Sequence, residues 1–448
     1  MAVYYNPAPL RKMIRKAASR RIDIAGIWNS EGTFVSWGWD TGLFLALWQR
    51  FECYGGMALS FGASSNDDSA VDSSTGPNWG TGASDNYFRN FNNGTTWSET
   101  KAQRASAPSA NRAAFDVTGL TAPKWAPHFP LYNGGTVTGW VNFELKRFST
   151  RENPIPIEDA MTVTFWGTEF TTGGGSVSAV WRYNGSTTVH NFGTVSYAGT
   201  DGVVKKSEAS HSADASRAAG SSLQLHCQTF TANLFLTWIR FCRTNQTRGF
   251  ALHPFYSCGS QSIFDMYEQL LAFPASSWYH WFDVMTTYQG ADLAEHCAIF
   301  DIYEGSNCAG EASVSGSAPQ PGDADHPDNY EWYMNQIIVH IRGLWELSGR
   351  SIDNLVFRIR CSHPINNAGT EAEVETFRAK LRAIDFTSAS YYNVTVCDMK
   401  ALKPLEAMVA AGDFWDETHL SYAGYNRLEE KAMGSLLNGA GRVDRTGR

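Results

Sequence analysis

The chain has 448 residues, 43% of them hydrophobic and 18% charged, and a formal net charge of -8. This composition excludes a disordered chain, and the length suits two domains or one domain with a large insertion. The negative charge argues against nucleic acid as the main partner, and no apolar run reaches the ~18 residues of a membrane helix. We therefore expect a soluble globular protein with a neutral or weakly polar ligand, no nucleic acid partner and no membrane insertion.

The first predicted element is a basic helix near the amino end. Six cations fall in residues 11–21, but no apolar stretch of ~7 to 15 residues follows them, so we do not expect a secretory signal. A cleaved organelle transit peptide is the alternative, although a core strand predicted from about Ile22 leaves no spacer for processing. The segment is interpreted as a solvated helix leading into a sheet, and the localisation stays open.

The next elements are a strand over Arg21–Trp28 and a helix over residues 40–54, for which Asp40 and Thr41 offer a cap. Residues 62–127 are rich in Ser, Asn, Gly and Thr without clear periodicity. We expect long surface loops there, which are often functional on a compact domain.

From about residue 129 to 250 the pattern changes to short alternating apolar runs separated by turn residues. Runs of this kind occur at residues 161–166, 176–182, 194–197, 223–226 and 234–240. The pattern predicts an antiparallel β-sandwich inserted at residues 129–250.

Strands and helices alternate again after residue 251. Helices are predicted over residues 262–271, 330–348, 371–384 and 421–437, and strands over 298–303, 355–360 and 394–397. Alternation at this spacing predicts a parallel sheet with helices on both faces, formed by residues 1–128 and 251–448. Ligands of such sheets bind beyond the carboxyl ends of the strands, and Ser30 and Asn307 each follow a predicted strand end.

The eight cysteines are scattered and show no spacing typical of a zinc site. We expect most of them to be buried thiols. A disulfide between Cys227 and Cys242 on neighbouring strands is the alternative, and no metal or cofactor is expected.

Asp416 and His419 are the most informative pair of residues. Three positions apart at a predicted helix start, they would lie on one face, where the carboxylate can hold the imidazole. The alternative is a helix cap with an incidental histidine. Asn307 offers an amide donor for an oxyanion, and Gly259 precedes a predicted helix, where its N–H would be free.

The chain resembles the SGNH hydrolases, also called the GDSL esterase/lipase superfamily. The residues that match the sequence blocks of this family occur in the family's order: Ser30, Gly259, Asn307 and the Asp416–His419 pair. The resemblance covers residues 1–130 and 251–448. It implies a flavodoxin-like three-layer α/β hydrolase domain and a serine esterase mechanism. Ser30 would be the nucleophile, His419 its base and Asp416 the orienting acid, with an oxyanion hole formed by the Ser30 and Gly259 amides and the Asn307 side chain.

The chain departs from the family pattern at three positions. Trp28 and Asn29 stand where the family has Gly and Asp, and Cys308 stands where the family continues with Asp. A second alignment register would place Trp28 at the nucleophile position and give an inactive protein. The first register is preferred because the strand ending at Trp28 leads directly to Ser30.

The substrate is inferred by analogy only. Trp37 and Trp39 near Ser30 are candidate platforms for sugar rings, and His363 is a candidate for the pocket rim. Together with the inserted β domain they favour removal of O-acetyl groups from a carbohydrate. The rival interpretation is a weakly active or inactive carbohydrate-binding or virion surface protein on the same scaffold.

Overall fold

The computed structural model describes residues 2–28, 43, 46–47, 51, 53–58, 71–72, 76–77, 88–93, 131–133, 141–146, 161–169, 176–183, 187–200, 204–211, 222–230, 234–243, 246–257, 262–272, 275–309, 329–414 and 416–437. The chain divides into two compact units. The α/β unit comprises Met1–Cys53 and Thr247–Arg448, and the β unit comprises Tyr54–Gln246.

The chain begins with a short strand, β1 (Tyr4–Tyr5), a helix, α1 (Ala8–Lys16), and a strand, β2 (Arg21–Trp28). The basic segment forms a helix, as predicted, but it is amphipathic and not solvated all round, because Leu10, Met13 and Ile14 form a buried face. All eight residues of β2 are buried, as expected for a strand covered on both faces.

Every element described in the β unit is a strand. The strands are β3 (Cys53–Ala58), β4 (Val71–Asp72), β5 (Gly76–Pro77), β6 (Phe88–Asn93), β7 (Leu131–Asn133), β8 (Val141–Lys146), β9 (Met161–Thr168), β10 (Ser176–Tyr183), β11 (Thr187–Ser196), β12 (Val204–His211), β13 (Ser222–Phe230) and β14 (Leu234–Arg243). One sheet contains the neighbouring strands β3, β14, β9 and β12, in that order, and β7 also pairs with β14. A second sheet has the order β11-β10-β13-β8-β6, and β4 pairs with β5 in a third.

The β unit starts earlier in the chain than residue 129, the first position of the predicted insertion. β3, which precedes residue 62, pairs with β14. β6 lies within the 62–127 segment predicted as loops and pairs with β8, so part of that segment belongs to a sheet of the β unit. The sequence of β6, Phe-Arg-Asn-Phe-Asn-Asn, lacks the strict apolar alternation that identifies a half-buried strand.

The remainder of the α/β unit alternates strands and helices, as predicted. Its strands are β15 (Gly249–Ser257), β16 (Ala298–Glu304), β17 (Leu355–Cys361) and β18 (Val394–Cys397). Its helices are α2 (Ile263–Ala272), α3 (Ala275–Thr286), α4 (Asn329–Leu347), α5 (Ala368–Arg382), α6 (Met399–Leu402), α7 (Leu405–Ala410) and α8 (Tyr422–Leu437). Short 3-10 turns occur at Leu293–Glu295, Ile352–Asn354 and Ala389–Tyr391.

The central sheet of the α/β unit has the strand order β1-β18-β17-β16-β2-β15. β15, β2, β16, β17 and β18 are parallel, and β1 runs antiparallel to β18. Taken in chain order, the parallel strands follow the flavodoxin-like order 2-1-3-4-5. The order reverses between β2 and β16, which is where such sheets bind their ligands.

Helices cover both faces of this sheet. On one face the Phe300 ring of β16 packs edge-on against Phe282 of α3, with centroids 6.2 Å apart. On the other face Glu429 of α8 binds Arg358 and Arg360 of β17. Phe300 is in register with Phe357, the residue before Arg358, so Phe300 and Arg358 lie on opposite faces of the sheet, as the alternation of side chains along a strand requires.

Candidate functional site

Asp416 and His419 meet in a tight loop, which we call the histidine loop (residues 414 and 416–420). His419 Nδ1 lies 2.8 Å from Asp416 Oδ2, while Asp416 Oδ1 accepts the N–H groups of Thr418 and His419 at 2.7 and 2.6 Å. A β-bridge between Phe414 and Leu420 closes the loop. The carboxylate thus binds the imidazole and also fixes the backbone that carries it.

The prediction that Asp416 and His419 lie at the start of a helix was wrong. α8 begins only at Tyr422, and the Ser421 hydroxyl accepts the N–H of Gly424 as its cap. The Asp416 side chain instead accepts N–H groups two and three residues ahead, which turns the chain without a helix. The contact between Asp416 and His419 therefore rests on a side-chain turn, and Asp416 is not the cap of α8.

The surroundings favour a neutral imidazole and an ionised carboxylate. Burial lowers the pKa of His419 below its ordinary value, although Asp416 partly opposes this effect. Burial works to raise the pKa of Asp416, but the hydrogen bonds from His419 and Thr418 outweigh it, so that pKa is lowered. A neutral histidine held by a carboxylate is the form that can accept a proton.

Asn307 follows β16 in a turn that packs closely on the end of β17. The N–H of Ser306 donates to Ser362 Oγ at 2.7 Å. A Cβ atom on Gly305 would lie 2.8 Å from Cys361 Sγ and Ser362 Oγ and 2.9 Å from Ser362 N. The glycine ahead of Asn307 thus permits a close approach of two chain segments that a larger residue would prevent.

Cys308, one of the departures from the family pattern, has defined partners in the structure. Its Sγ accepts the N–H of Ile263, the first residue of α2, at 3.3 Å and donates to Glu304 Oε1 at 3.4 Å. The thiol thus links the Asn307 turn to the start of α2. Among the described residues, Cys297, Cys308, Cys361 and Cys397 are buried thiols outside any disulfide, as expected; the side chains of Cys227 and Cys242 lie outside the described part.

His363 is buried, which differs from the pocket rim expected for it. Its Nδ1 lies 2.7 Å from the Tyr303 hydroxyl and its Nε2 lies 2.7 Å from the carbonyl oxygen of Thr418. Both ring nitrogens are therefore engaged inside the protein, and the direct contact of His363 with substrate that we expected is corrected to an internal role.

The strands that lead toward Ser30, Gly259 and Asn307 end side by side. Trp28, the last residue of β2, is in register with Ser257 of β15 and with Tyr303 of β16. The Trp28 side chain is buried, and its indole N–H donates to Asp301 at 2.9 Å.

Four of the predicted site residues fall outside the described residues. They are Ser30, Gly259, Trp37 and Trp39. The roles of these four residues remain predictions. The structure places Asp416 beside His419. It also joins the Asn307 turn to Ser362, and the next residue, His363, contacts the histidine loop.

Ser362 and Tyr303 were not identified from the sequence. Ser362 follows the predicted strand at residues 355–360, so its position at a strand end was the available signal. Nothing in the pattern of β16 distinguishes Tyr303, because an aromatic residue is common in a buried strand.

Within the described ranges, no group of three or more His, Cys, Asp or Glu side chains is arranged to hold a metal ion. In the same part of the chain, none of the helices has the length and apolar character needed to span a membrane.

No family model matches the sequence, and no curated protein matches it. The structure is similar to a solved peptidoglycan O-acetylesterase, with a TM-score of 0.50 and 12% identity over 98% of this chain and 99% of that chain. A member of the lipolytic protein G-D-S-L family from Veillonella parvula is similar over 41% of this chain and 79% of its own, with 13% identity and a TM-score of 0.26. The carboxyl-terminal family 6 carbohydrate-binding module of a laminarinase from Zobellia galactanivorans matches 25% of this chain and 77% of its own, with 16% identity and a TM-score of 0.17. The full-length likeness and the order of the parallel strands show that this chain has the fold of the SGNH hydrolases.

Proposed function

We propose that the protein is a serine esterase that removes O-acyl groups, first of all O-acetyl groups, from a carbohydrate. The observation that carries this proposal is the Asp416–His419 pair. Because Nδ1 donates its hydrogen to Asp416, the neutral imidazole has its lone pair on Nε2, the nitrogen that a general base uses.

In the proposed mechanism, His419 takes the proton of the Ser30 hydroxyl and the serine oxygen attacks the ester carbonyl. The N–H groups of Ser30 and Gly259 and the side-chain amide of Asn307 hold the oxyanion. His419 then donates the proton to the leaving alcohol. It next activates a water molecule that hydrolyses the acyl-enzyme and restores Ser30.

The topology supports the choice of Ser30 over the register that puts Trp28 at the nucleophile position. Trp28 is the last residue of β2, and its indole is buried and bonded to Asp301. Ser30 comes two residues after β2, Gly259 two residues after β15, and Asn307 three residues after β16. Residues just past the carboxyl ends of neighbouring parallel strands are those that ligands of this fold contact.

A carbohydrate substrate is proposed from the similar structure and from the β unit. One solved neighbour, similar over 98% of this chain, is a peptidoglycan O-acetylesterase. We further propose that the β unit is a β-sandwich inserted into the hydrolase domain, and that Trp37 and Trp39 are platforms for sugar rings.

The test is acetate release from p-nitrophenyl acetate and from O-acetylated glycans. Wild type should turn over both, whereas Ser30→Ala and His419→Ala should lose activity by several orders of magnitude. Ser388→Ala, an exposed serine of the same unit, is the matched control and should retain full activity. A wild-type protein that binds glycan but hydrolyses neither substrate would contradict the proposal and favour the carbohydrate-binding alternative.

A further inference from the structure

The segment that follows β17 contacts both parts of the chain that carry proposed catalytic groups. We call residues 362–367 the connecting segment. Its Ser362 accepts the N–H of Ser306, next to Asn307, and its Asn366 N–H donates to the carbonyl of Glu417 in the histidine loop at 2.8 Å. Asn307 and His419 are thus attached to one short segment.

His363 lies at the centre of this segment and touches both sides. The Thr418 carbonyl can only accept a hydrogen, so Nε2 of His363 carries one and donates it. Nδ1 of the neutral ring is then an acceptor, and the Tyr303 hydroxyl donates to it. Tyr303 belongs to β16, four residues before Asn307, and Thr418 directly precedes His419.

The backbone of the connecting segment is itself fixed. Arg378 of α5 donates to the carbonyl of Ser362 at 2.9 and 3.0 Å and to that of His363 at 2.7 Å. Glu371 binds Arg378 and also accepts the N–H of Ile365 at 2.8 Å. His363 therefore has a fixed position from which it holds the histidine loop.

We propose that His363 is a positioning residue: through the bonds Tyr303–His363–Thr418 it sets the place of the catalytic His419 relative to the strand that presents Asn307. This inference rests on the proposed esterase function. His363 touches no reacting atom, because its ring is fully buried.

Replacing His363 by Leu removes both bonds and frees the Thr418 carbonyl. We expect kcat to fall about 10²-fold with little change in KM, since a shift of about 1 Å in a reacting group has an effect of this size. His363→Gln retains a donor for Thr418 and should remain within about tenfold of wild type. Tyr303→Phe should lie between them, and adding it to His363→Leu should cause little further loss, because both act through one chain of bonds.

A titration of the His419 ring by NMR separates positioning from a general loss of stability. Asp416 of the histidine loop is hydrogen-bonded to this ring, and His363 of the connecting segment interacts with it electrostatically. When the loop loosens, the ring gains contact with water, so its pKa in His363→Leu should rise toward the ordinary value of ~6.5. The apparent pKa of the acid limb of the kcat/KM profile should rise with it. In His363→Gln both pKa values should stay close to those of wild type.

These measurements distinguish the two ways of failing. If wild type hydrolyses no ester, the proposed function is contradicted and the inference fails with it. If wild type is active and a folded His363→Leu keeps its kcat and the wild-type pKa of His419, the inference alone is overturned. If the Leu variant does not fold, a His363→Gln variant with less than about a hundredth of wild-type kcat despite normal melting would contradict the assigned donor role.

Discussion

Asp416 and His419 show what residue spacing alone can predict. Their separation of three positions predicted that carboxylate and imidazole would meet, and their atoms lie 2.8 Å apart. The local conformation was not predictable in the same way, because the bonds from Asp416 to two backbone N–H groups compete with helix formation. The burial of His363 was likewise not predicted, because a histidine directly before a proline is typical of a surface loop.

Asp416→Asn tests the pair directly. Loss of the negative charge should lower kcat by about 10⁴-fold, because the amide no longer favours the correct tautomer or stabilises the imidazolium. Asp416 raises the pKa of His419, so the residual activity should persist to lower pH than in wild type. Rate profiles between pH 4 and 8 check both effects, and an acid limb that shifts to higher pH would contradict this assignment.

Gly305 offers a second test on the scale of one residue. Gly305→Ala places a Cβ within 3 Å of the Ser362 backbone nitrogen, and we expect it to lower the unfolding free energy by about 1–3 kcal/mol. Activity should also fall, because the Asn307 turn must move. Gly343→Ala in α4 is the matched control: nothing lies within 4 Å, and alanine favours the helix by up to ~1 kcal/mol. Chemical denaturation compares the two.

Among the elements of the α/β unit, the strands β2, β16, β17 and β18 and the helices α2, α4, α5 and α8 were predicted, whereas the helices α3, α6 and α7 were not. The bounds of β2 and β18 agree with the prediction, and the predicted helix at residues 330–348 differs from α4 (Asn329–Leu347) by one residue at each end. β15 was missed because Pro254 interrupts its apolar run and because it follows the strands of the β unit directly. Its pairing with β2 over long sequence distance carries no local signal.

The attachment of α8 to the sheet depends on buried charges. Glu429 binds Arg358 at 2.8 Å and also Arg360, and both arginines also bind Asp301 of β16. Glu429→Ala leaves two buried cations with one carboxylate, and we expect a loss of about 3–5 kcal/mol. The exposed neighbour Glu430→Ala should change stability by less than ~1 kcal/mol. Equal effects of the two substitutions on urea denaturation would show that the buried network contributes little.

At the scale of the whole molecule, the sequence predicted an α/β hydrolase fold and a separate region of strands. It placed the first boundary of that region at residue 128, whereas the β unit begins at Tyr54. The difference has a physical cause: membership of a sheet is decided by pairing with distant strands, and β3 and β6 pair with β14 and β8. Composition reports only that residues 62–127 are polar.

Stability of the whole molecule should decrease in mild acid. Burial lowers the pKa of His363 to about 3, with Arg378 and His419 adding to the effect and Thr418 and Asp416 opposing it. The unfolded chain binds this proton near pH 6.5, so His363 stabilises the fold above that pH and loses this contribution as pH falls toward 3. The expected slope is up to ~1.4 kcal/mol per pH unit.

Urea denaturation of wild type and His363→Gln between pH 7 and 5 measures this contribution. The variant has no group that titrates at position 363, so its unfolding free energy should depend less steeply on pH. Parallel curves for the two proteins would show that His363 is not held neutral in the folded state.

The central claim is that Ser30 is a nucleophile activated by His419, and covalent labelling tests it most directly. The protein is treated with a fluorophosphonate, digested and analysed by mass spectrometry, with His419→Ala and Ser388→Ala alongside. We predict one adduct on Ser30 in wild type and in Ser388→Ala, formed at least about 10³-fold more slowly in His419→Ala. An unlabelled Ser30, or labelling that proceeds equally fast without His419, would contradict the account.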